Sequence, residues 1–171
     1  TLLAAELDMW EGIGEDIVNH CINDILAMGA KPLCFSDYIA SSRLDTAVVE
    51  RIVKSIADCC RKNSIIFVGG ETAEMPDVYN RGAVDVAGFI LGVAEKEKVI
   101  DCHTIEEGDT LVGIASTGLH SNGYSLVRAI LRTGKLKLNE RIGTESVGEI
   151  LLRPHRNYLR TTASIVKNYR I

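Results

Sequence analysis

Along residues 15–29 apolar side chains recur every three to four positions, and Ile17, Val18, Cys21, Ile22, Ile25, Leu26 and Met28 fall on one helical face. Gly29 and the Lys31-Pro32 pair close that helix. Residues 33–40 form a short apolar, aromatic run, which predicts a strand. Asp45 stands where an N-cap belongs, ahead of a helix with Val48, Val49, Ile52, Val53, Ile56, Ala57 and Cys60 inward and Asn63 as its stop. The unbroken run Ile65-Ile66-Phe67-Val68 predicts a buried strand, with a glycine turn at Gly69-Gly70. Residues 84–94 predict a third strand, in which Gly88 and Gly92 allow close backbone approach.

A charged stretch at 95–109 follows, and Glu106-Glu107-Gly108-Asp109 marks a boundary within it: 1–105 are expected to form one domain and 106–171 the first part of another. Beyond it, 110–116 read as a strand, 117–123 as a polar glycine loop and 124–131 as a helix. That order suits phosphate, because the N–H groups of a helix start face the ligand. Residues 133–146 are expected to be a loop and 157–166 a last helix. Helices alternating with strands give an α/β fold with mixed sheets.

Composition narrows the setting. A chain of 171 residues buries a core without staples, and five cysteines at 21, 34, 59, 60 and 102, with no CxxC spacing, read as reduced thiols packed in a cytosolic protein. A zinc role for Cys59-Cys60 lacks the usual spacing. The net charge of -4 argues against a nucleic-acid partner. No run approaches the ~20 apolar residues of a membrane span, so a membrane role is not expected and the location is cytoplasmic. Thr1 rather than Met opens the chain, and 164–171 still read as ongoing structure, so both ends are expected to be cut.

Three places carry candidate chemistry. Asn23-Asp24 puts an amide and a carboxylate into an otherwise apolar helix, a costly arrangement unless something pairs with them. A magnesium ion would serve, and so would a solvated stripe or a structural hydrogen bond. Gly69-Gly70-Glu71-Thr72-Ala73-Glu74-Met75-Pro76 follows a buried strand, where ligands of open α/β sheets bind; a tight turn with exposed acids is the other reading. Ser116 to Tyr124 gathers hydroxyls, glycines and His120 ahead of a helix, as a phosphate site or as an ordinary helix cap. His20, His103 and His155 look isolated, and Arg128, Arg153 and Arg156 read as solvated charge. No GxxxxGK[ST] or GxGxxG fingerprint and no GxSxG elbow is present.

The order of these motifs says more than any one of them. INDILAMGAKPL, VGGETAEMPDVY, DVAGFILGV and GDTLVGIASTGLHSNGYSLVR resemble the aminoimidazole ribonucleotide synthetase family at matching separations, over essentially the whole chain. GGETAEMP and HSNGYSLVR are the specific signals; NDxxAMGAxP is shared with selenophosphate synthetase, thiamine-monophosphate kinase and formylglycinamidine synthetase. The resemblance implies an N-terminal α/β domain that forms a homodimer through its sheet, then a C-terminal α/β domain, with the active site between them. It implies an enzyme in which ATP activates the formyl amide oxygen of formylglycinamidine ribonucleotide. The other nitrogen then closes an imidazole ring, leaving ADP and phosphate.

By the same resemblance Asp24 and Glu71 bind magnesium, and Asn23, Asp24, Gly69, Gly70, Glu71 and Thr72 bind the nucleotide. Gly118, Ser121 and Asn122 lie on the substrate side, and His120 is the catalytic group, moving a proton or stabilising the phosphoryl group. The acids of the first helix and of the segment after 65–68 are expected to converge on a cation-bound triphosphate that faces His120. The family's upstream DGVGTK-type segment and downstream GGG-containing half are missing here, so this piece alone is expected to be inactive. Two rivals stay open: a non-catalytic dimerisation or nucleotide-sensing module, and a superfamily kinase of the thiamine-monophosphate type.

Overall fold

The computed structural model describes residues 1–169 and 171. Strand β1 (Lys31–Ser41) runs between β2 (Ile66–Glu74), parallel to it, and β3 (Val84–Val93), antiparallel to it. A parallel return needs a crossover, and α3 (Thr46–Lys62) supplies it. The start of α3 is held as the sequence predicts: the Asp45 carboxylate accepts the N–H groups of Ala47 at 2.9 Å and Val48 at 3.4 Å. Helix α2 (Glu11–Leu26) packs beside α3 and against the sheet. The apolar stripes of both helices meet Phe35 and Ile39 of β1, and Val18, Ile22, Ile52, Ile56, Cys59 and Cys60 are fully enclosed among them. Burial pushes the Cys21 and Cys60 thiols up to about 11 and Cys59 up to about 12, so these side chains are neutral packing groups, as expected.

Helix α2 starts four residues before the apolar periodicity does. Its first turns hold Gly12 and Gly14, and Gly14 lies where α2 and α3 touch: a Cβ there would stand 2.4 Å from Ile52 O and 2.6 Å from Ile56 N. Glycine spacing at a backbone contact is invisible to a count of apolar residues.

Three expectations are corrected. The run 65–68 is not a buried strand: Ile65 is enclosed, but Ile66 and Val68 lie on the open sheet face at 66% and 62% exposure, because helices cover only the other face. Gly69-Gly70 is not a turn, because β2 continues through it to Glu74. Pairing steps from Phe35↔Phe67 to Asp37↔Gly70, so β2 spends one residue more than β1, and Gly69 at φ 91° provides that bulge. Hydrogen bonding to β1 on both sides of the glycines overrides their turn preference. Residues 110–116 are not a strand either: no neighbouring strand pairs with them among the described residues, and Leu111 is 96% exposed. A strand exists only by pairing, whatever its propensity.

Helix α4 (Tyr124–Arg132) follows the glycine loop as predicted. The expected loop at 133–146 contains a short ladder, β4 (Arg141–Ile142) with β5 (Glu145–Ser146), and leads into α5 (Val147–Leu151). A capping box between Ser146 and Glu149 opens α5, and its sequence signal is the Ser-x-x-Glu spacing. Helices α1 (Leu2–Leu7) and α6 (Leu159–Asn168) complete the elements. Opposite the helices, the other sheet face exposes Leu33, Ile66, Val68, Phe89, Leu91 and Val93, each between 46% and 67%. Among the described residues no helix is long and apolar enough to cross a membrane.

Candidate functional site

Asp16, Asn19, His20, Asn23 and Asp24 recur at three- and four-residue steps along α2 and share one side of it. An irregular segment, 154–158, lies along that side. Its backbone has no ladder to join, so the helix side chains satisfy it. Asp16 accepts the His155 N–H at 2.6 Å, Asn19 donates to His155 O at 2.7 Å, and Asn23 donates to Arg156 O at 2.7 Å while accepting the Tyr158 N–H at 3.1 Å. Asn157 Nδ2 joins Asn19 Oδ1 and Asn63 Oδ1, each at 3.0 Å. The structural hydrogen bond that the sequence left open for the α2 amides is therefore present. Both polar atoms of Asn23 are engaged by this strap.

On the strap, His155 is 7% exposed and stands between two other imidazoles. Its ring stacks on His120, with centroids 4.2 Å apart and planes at 22°, and meets His20 edge-on at 5.6 Å. His20 Nε2 lies 3.4 Å from an oxygen of Asp24, whose side chain is 68% exposed. The Thr117 amide donates to His120 Nε2 at 3.2 Å, the Thr117 hydroxyl donates to Pro154 O at 3.0 Å, and Ser121 Oγ lies 3.4 Å from His155 Nδ1. Asn122 closes the loop on itself by donating to His120 O at 3.2 Å. Asp24 and the loop that carries Gly118, His120, Ser121 and Asn122 thus stand at two ends of one row of histidines.

Burial holds His155 down to about 4, with the charges of His120 and His20 acting the same way. The unfolded chain takes up this proton near pH 6.5, the folded one only near 4. Its contribution to stability is therefore complete above pH 6.5 and is lost as pH falls from 6.5 towards 4, with a slope of at most about 1.4 kcal/mol per pH unit. Asp16, whose carboxyl is raised by burial, is common to both proteins compared. Urea midpoints followed from pH 7 to 4.5 should drop more steeply for the native chain than for His155→Gln; parallel curves would show that His155 is not held neutral.

Glu71 belongs to a different place. With Ser36, Asp37, Tyr38, Gly69 and Gly70 it lines a hollow of about 420 Å³ on the open sheet face. Gly69 has nothing within 4 Å of a notional Cβ, so its backbone is open to a ligand. Gly70 has no such room, because a Cβ would stand 2.1 Å from Asp37 O and 2.4 Å from its Oδ1. Asp37 is 5% exposed, and burial raises its pKa. The signal for it in the sequence is an acid amid the apolar run 33–40. Thr72 is exposed, and Glu74 is occupied by accepting the Leu44 N–H at 2.8 Å.

The expected convergence of Asp24 and Glu71 is not found within one chain. Ile25, beside Asp24, packs where Gly92 pairs with Pro32, whereas Glu71 pairs with Tyr38, six residues further along β1. At ~3.3 Å per residue that is roughly 20 Å, and Glu71 lines the open face while α2 covers the other. One magnesium ion needs ligand oxygens within about 2.1 Å. Among the described residues no group of three or more His, Cys, Asp or Glu side chains could hold a metal ion. Single exposed carboxylates of this kind suit a hard cation only where phosphates or a second subunit complete the oxygen set.

Comparison with known proteins gives a consistent result. The family profile described as AIR synthase related protein, N-terminal domain, matches residues 1–94, and its C-terminal counterpart matches 106–165. Phosphoribosylformylglycinamidine cyclo-ligases from Clostridium novyi (strain NT) and Clostridium tetani are 44% and 45% identical over 169 residues, which is 99% of this chain and 50% of theirs. The enzyme of that name from Nitrosococcus oceani is 44% identical over 96% of this chain and 46% of its own. The chain spans about half the length of the curated relatives it matches. Among solved structures, hydrogenase maturation protein HypE overlaps 52% of this chain and 27% of its own, at 22% identity and a TM-score of 0.46.

Proposed function

The chain belongs to the AIR synthase related family, and from that premise we propose that it is the ATP-handling part of a phosphoribosylformylglycinamidine cyclo-ligase. The observation that carries this reading is the placement of Asp24, from the part matched by the N-terminal profile, and the His120 loop, from the part matched by the C-terminal one, along one strap on α2. The domains divide at 105/106, and formylglycinamidine ribonucleotide binds between them. Gly118, Ser121 and Asn122 supply donors to its phosphate, and His120 exchanges a proton with it or steadies the phosphoryl group as the amide oxygen is activated. ATP lies along the backbone opened by Gly69, with Gly70, Glu71 and Thr72 beside its phosphates. Asp24 and Glu71 are the magnesium carboxylates, and Asn23, its amide taken up by Arg156 O and the Tyr158 N–H, holds the strap beside Asp24 rather than touching the nucleotide. The setting is the cytoplasm.

A homodimer is part of the proposal, because one chain leaves those carboxylates apart. The Glu71 hollow is lined by Val68 and Phe89 of the open apolar face, so a second copy docked there closes the hollow. Such a face, six large apolar residues wide, is what an obligate interface buries. Replacing Phe89 and Leu91 by Asp should halve the mass seen in sedimentation; an unchanged mass would remove the sheet from the interface.

ADP release tests the function itself. An enzyme of the relatives' full length that carries this chain should release ADP when given magnesium-ATP and formylglycinamidine ribonucleotide. Release driven by thiamine monophosphate instead would favour a kinase, and ATP binding without substrate-dependent release would favour a sensing module.

A further inference from the structure

Three observations about the His120 loop converge. Gly118 at φ 142°, Ser121 at φ 58° and Gly123 at φ 83° give it a backbone that side-chain-bearing residues rarely adopt. Nothing lies within 4 Å of a notional Cβ at Gly118, so the fold does not enclose that turn. Among the described residues, every side-chain hydrogen bond that leaves 117–122 ends on the strap: Thr117 on Pro154, and Ser121 on His155. The strap also holds the segment before the loop, since the Arg156 guanidinium and the Tyr158 hydroxyl both donate to Ala115 O, at 2.9 and 3.1 Å.

The strap is itself immobilised by α2. Asp16, Asn19 and Asn23 bond backbone groups of residues 155, 156 and 158, and Asn157 ties in Asn63 at the end of α3. Polar bonds of this kind have direction, so they fix the strap in register as well as in place. A planar ring in face contact with another fixes both the tilt and the height of its partner.

We infer that His155 is the positioning residue of this site: through its stacked ring and its bond to Ser121 it sets the orientation of the His120 imidazole relative to Asp24. The inference rests on the proposed role of His120 but not on the identity of the substrate. His155 touches no reacting atom; it acts through His120, and α2 acts through His155. A group that must meet its target within a few tenths of an ångström loses rate, rather than ground-state affinity, when its support is removed.

Two readouts separate this from a merely structural role. In the chain itself, labelled with ring-¹⁵N and ¹³C histidine, His120 should show ring resonances displaced by the stacked neighbour, and the Thr117 amide, which donates to that ring, should exchange slowly. His155→Ala should return the His120 ring to its free position and speed that exchange about tenfold or more, while His155→Phe should keep much of the displacement. Ser121→Ala, which removes only the bond, should speed exchange and leave the rings stacked, and it serves if His155→Ala does not fold. In the full-length enzyme, His155→Ala should lower kcat about tenfold or more with KM for ATP within about twofold, and His155→Phe should recover part of the loss.

Unchanged His120 resonances in His155→Ala overturn the inference, as does an unchanged kcat in that variant when His120→Ala is inactive. If instead His120→Ala keeps its turnover while the spectroscopic shifts occur as stated, the catalytic role of His120 fails and the positioning contact stands.

Discussion

His120→Ala in a full-length enzyme carrying this chain should lower kcat by about 10²- to 10⁴-fold, the range expected when a proton-transfer group is removed. The geometry gives the reason. The Thr117 amide donates to His120 Nε2 at 3.2 Å and the Thr117 hydroxyl lies 3.2 Å from the same nitrogen, so one edge of the ring is held by the loop itself. The face of the ring is fixed on His155, and the loop that presents it leads into the N-terminus of α4. Among the described residues no other imidazole has this placement: His20 sits beside Asp24 on α2, and His103 lies in the exposed connection. ATP affinity should change by less than about threefold, because a group that moves a proton or steadies the transferring phosphoryl acts on the transition state rather than on the bound nucleotide. Turnover within about threefold of the native enzyme would remove His120 from the chemistry.

Gly14→Val should cost roughly 3 kcal/mol or more of folding free energy, the upper range for overpacking a close contact. At most core positions a clash is relieved by rotating a neighbouring side chain. Here two of the obstructing atoms belong to the α3 backbone, Ile52 O and Ile56 N. Relief therefore requires the helices to separate, which loosens Val18, Ile52 and Ile56 together. Gly69→Ala makes the informative contrast: its surroundings are open, so it should cost only the ~1 kcal/mol of holding a side-chain-bearing residue at positive φ. Urea denaturation of the two variants measures the difference. Equal midpoints would mean that α2 and α3 do not meet at Gly14.

What could be read from the sequence divides along the range of the interactions involved. The stripes of α2 and α3, the Asp45 cap and the runs that became β1 and β3 are set by neighbours within a turn or a strand, and they were legible. The bulge at Gly69 was not, because it depends on register with β1, and the unpaired state of 110–116 depends on what lies beside it. The site shows the same division. Residue types singled out Asp24, Glu71 and His120, but the amide groups of Asn19 and Asn23 find their partners 136 and 133 residues away. His155 has no partner among its sequence neighbours, and the ring it stacks on, His120, is distant in the chain. The distance between Asp24 and Glu71 follows from strand register, which no motif spells out.

The reaction product tests the whole reading most directly. Full-length enzyme incubated with ATP, magnesium and formylglycinamidine ribonucleotide should form ADP, phosphate and the aminoimidazole ribonucleotide in equal amounts, the last detected as a diazotisable amine. Asp24→Asn should abolish all three together. ADP appearing without the amine, or at an equal rate when the ribonucleotide is withheld, would contradict it.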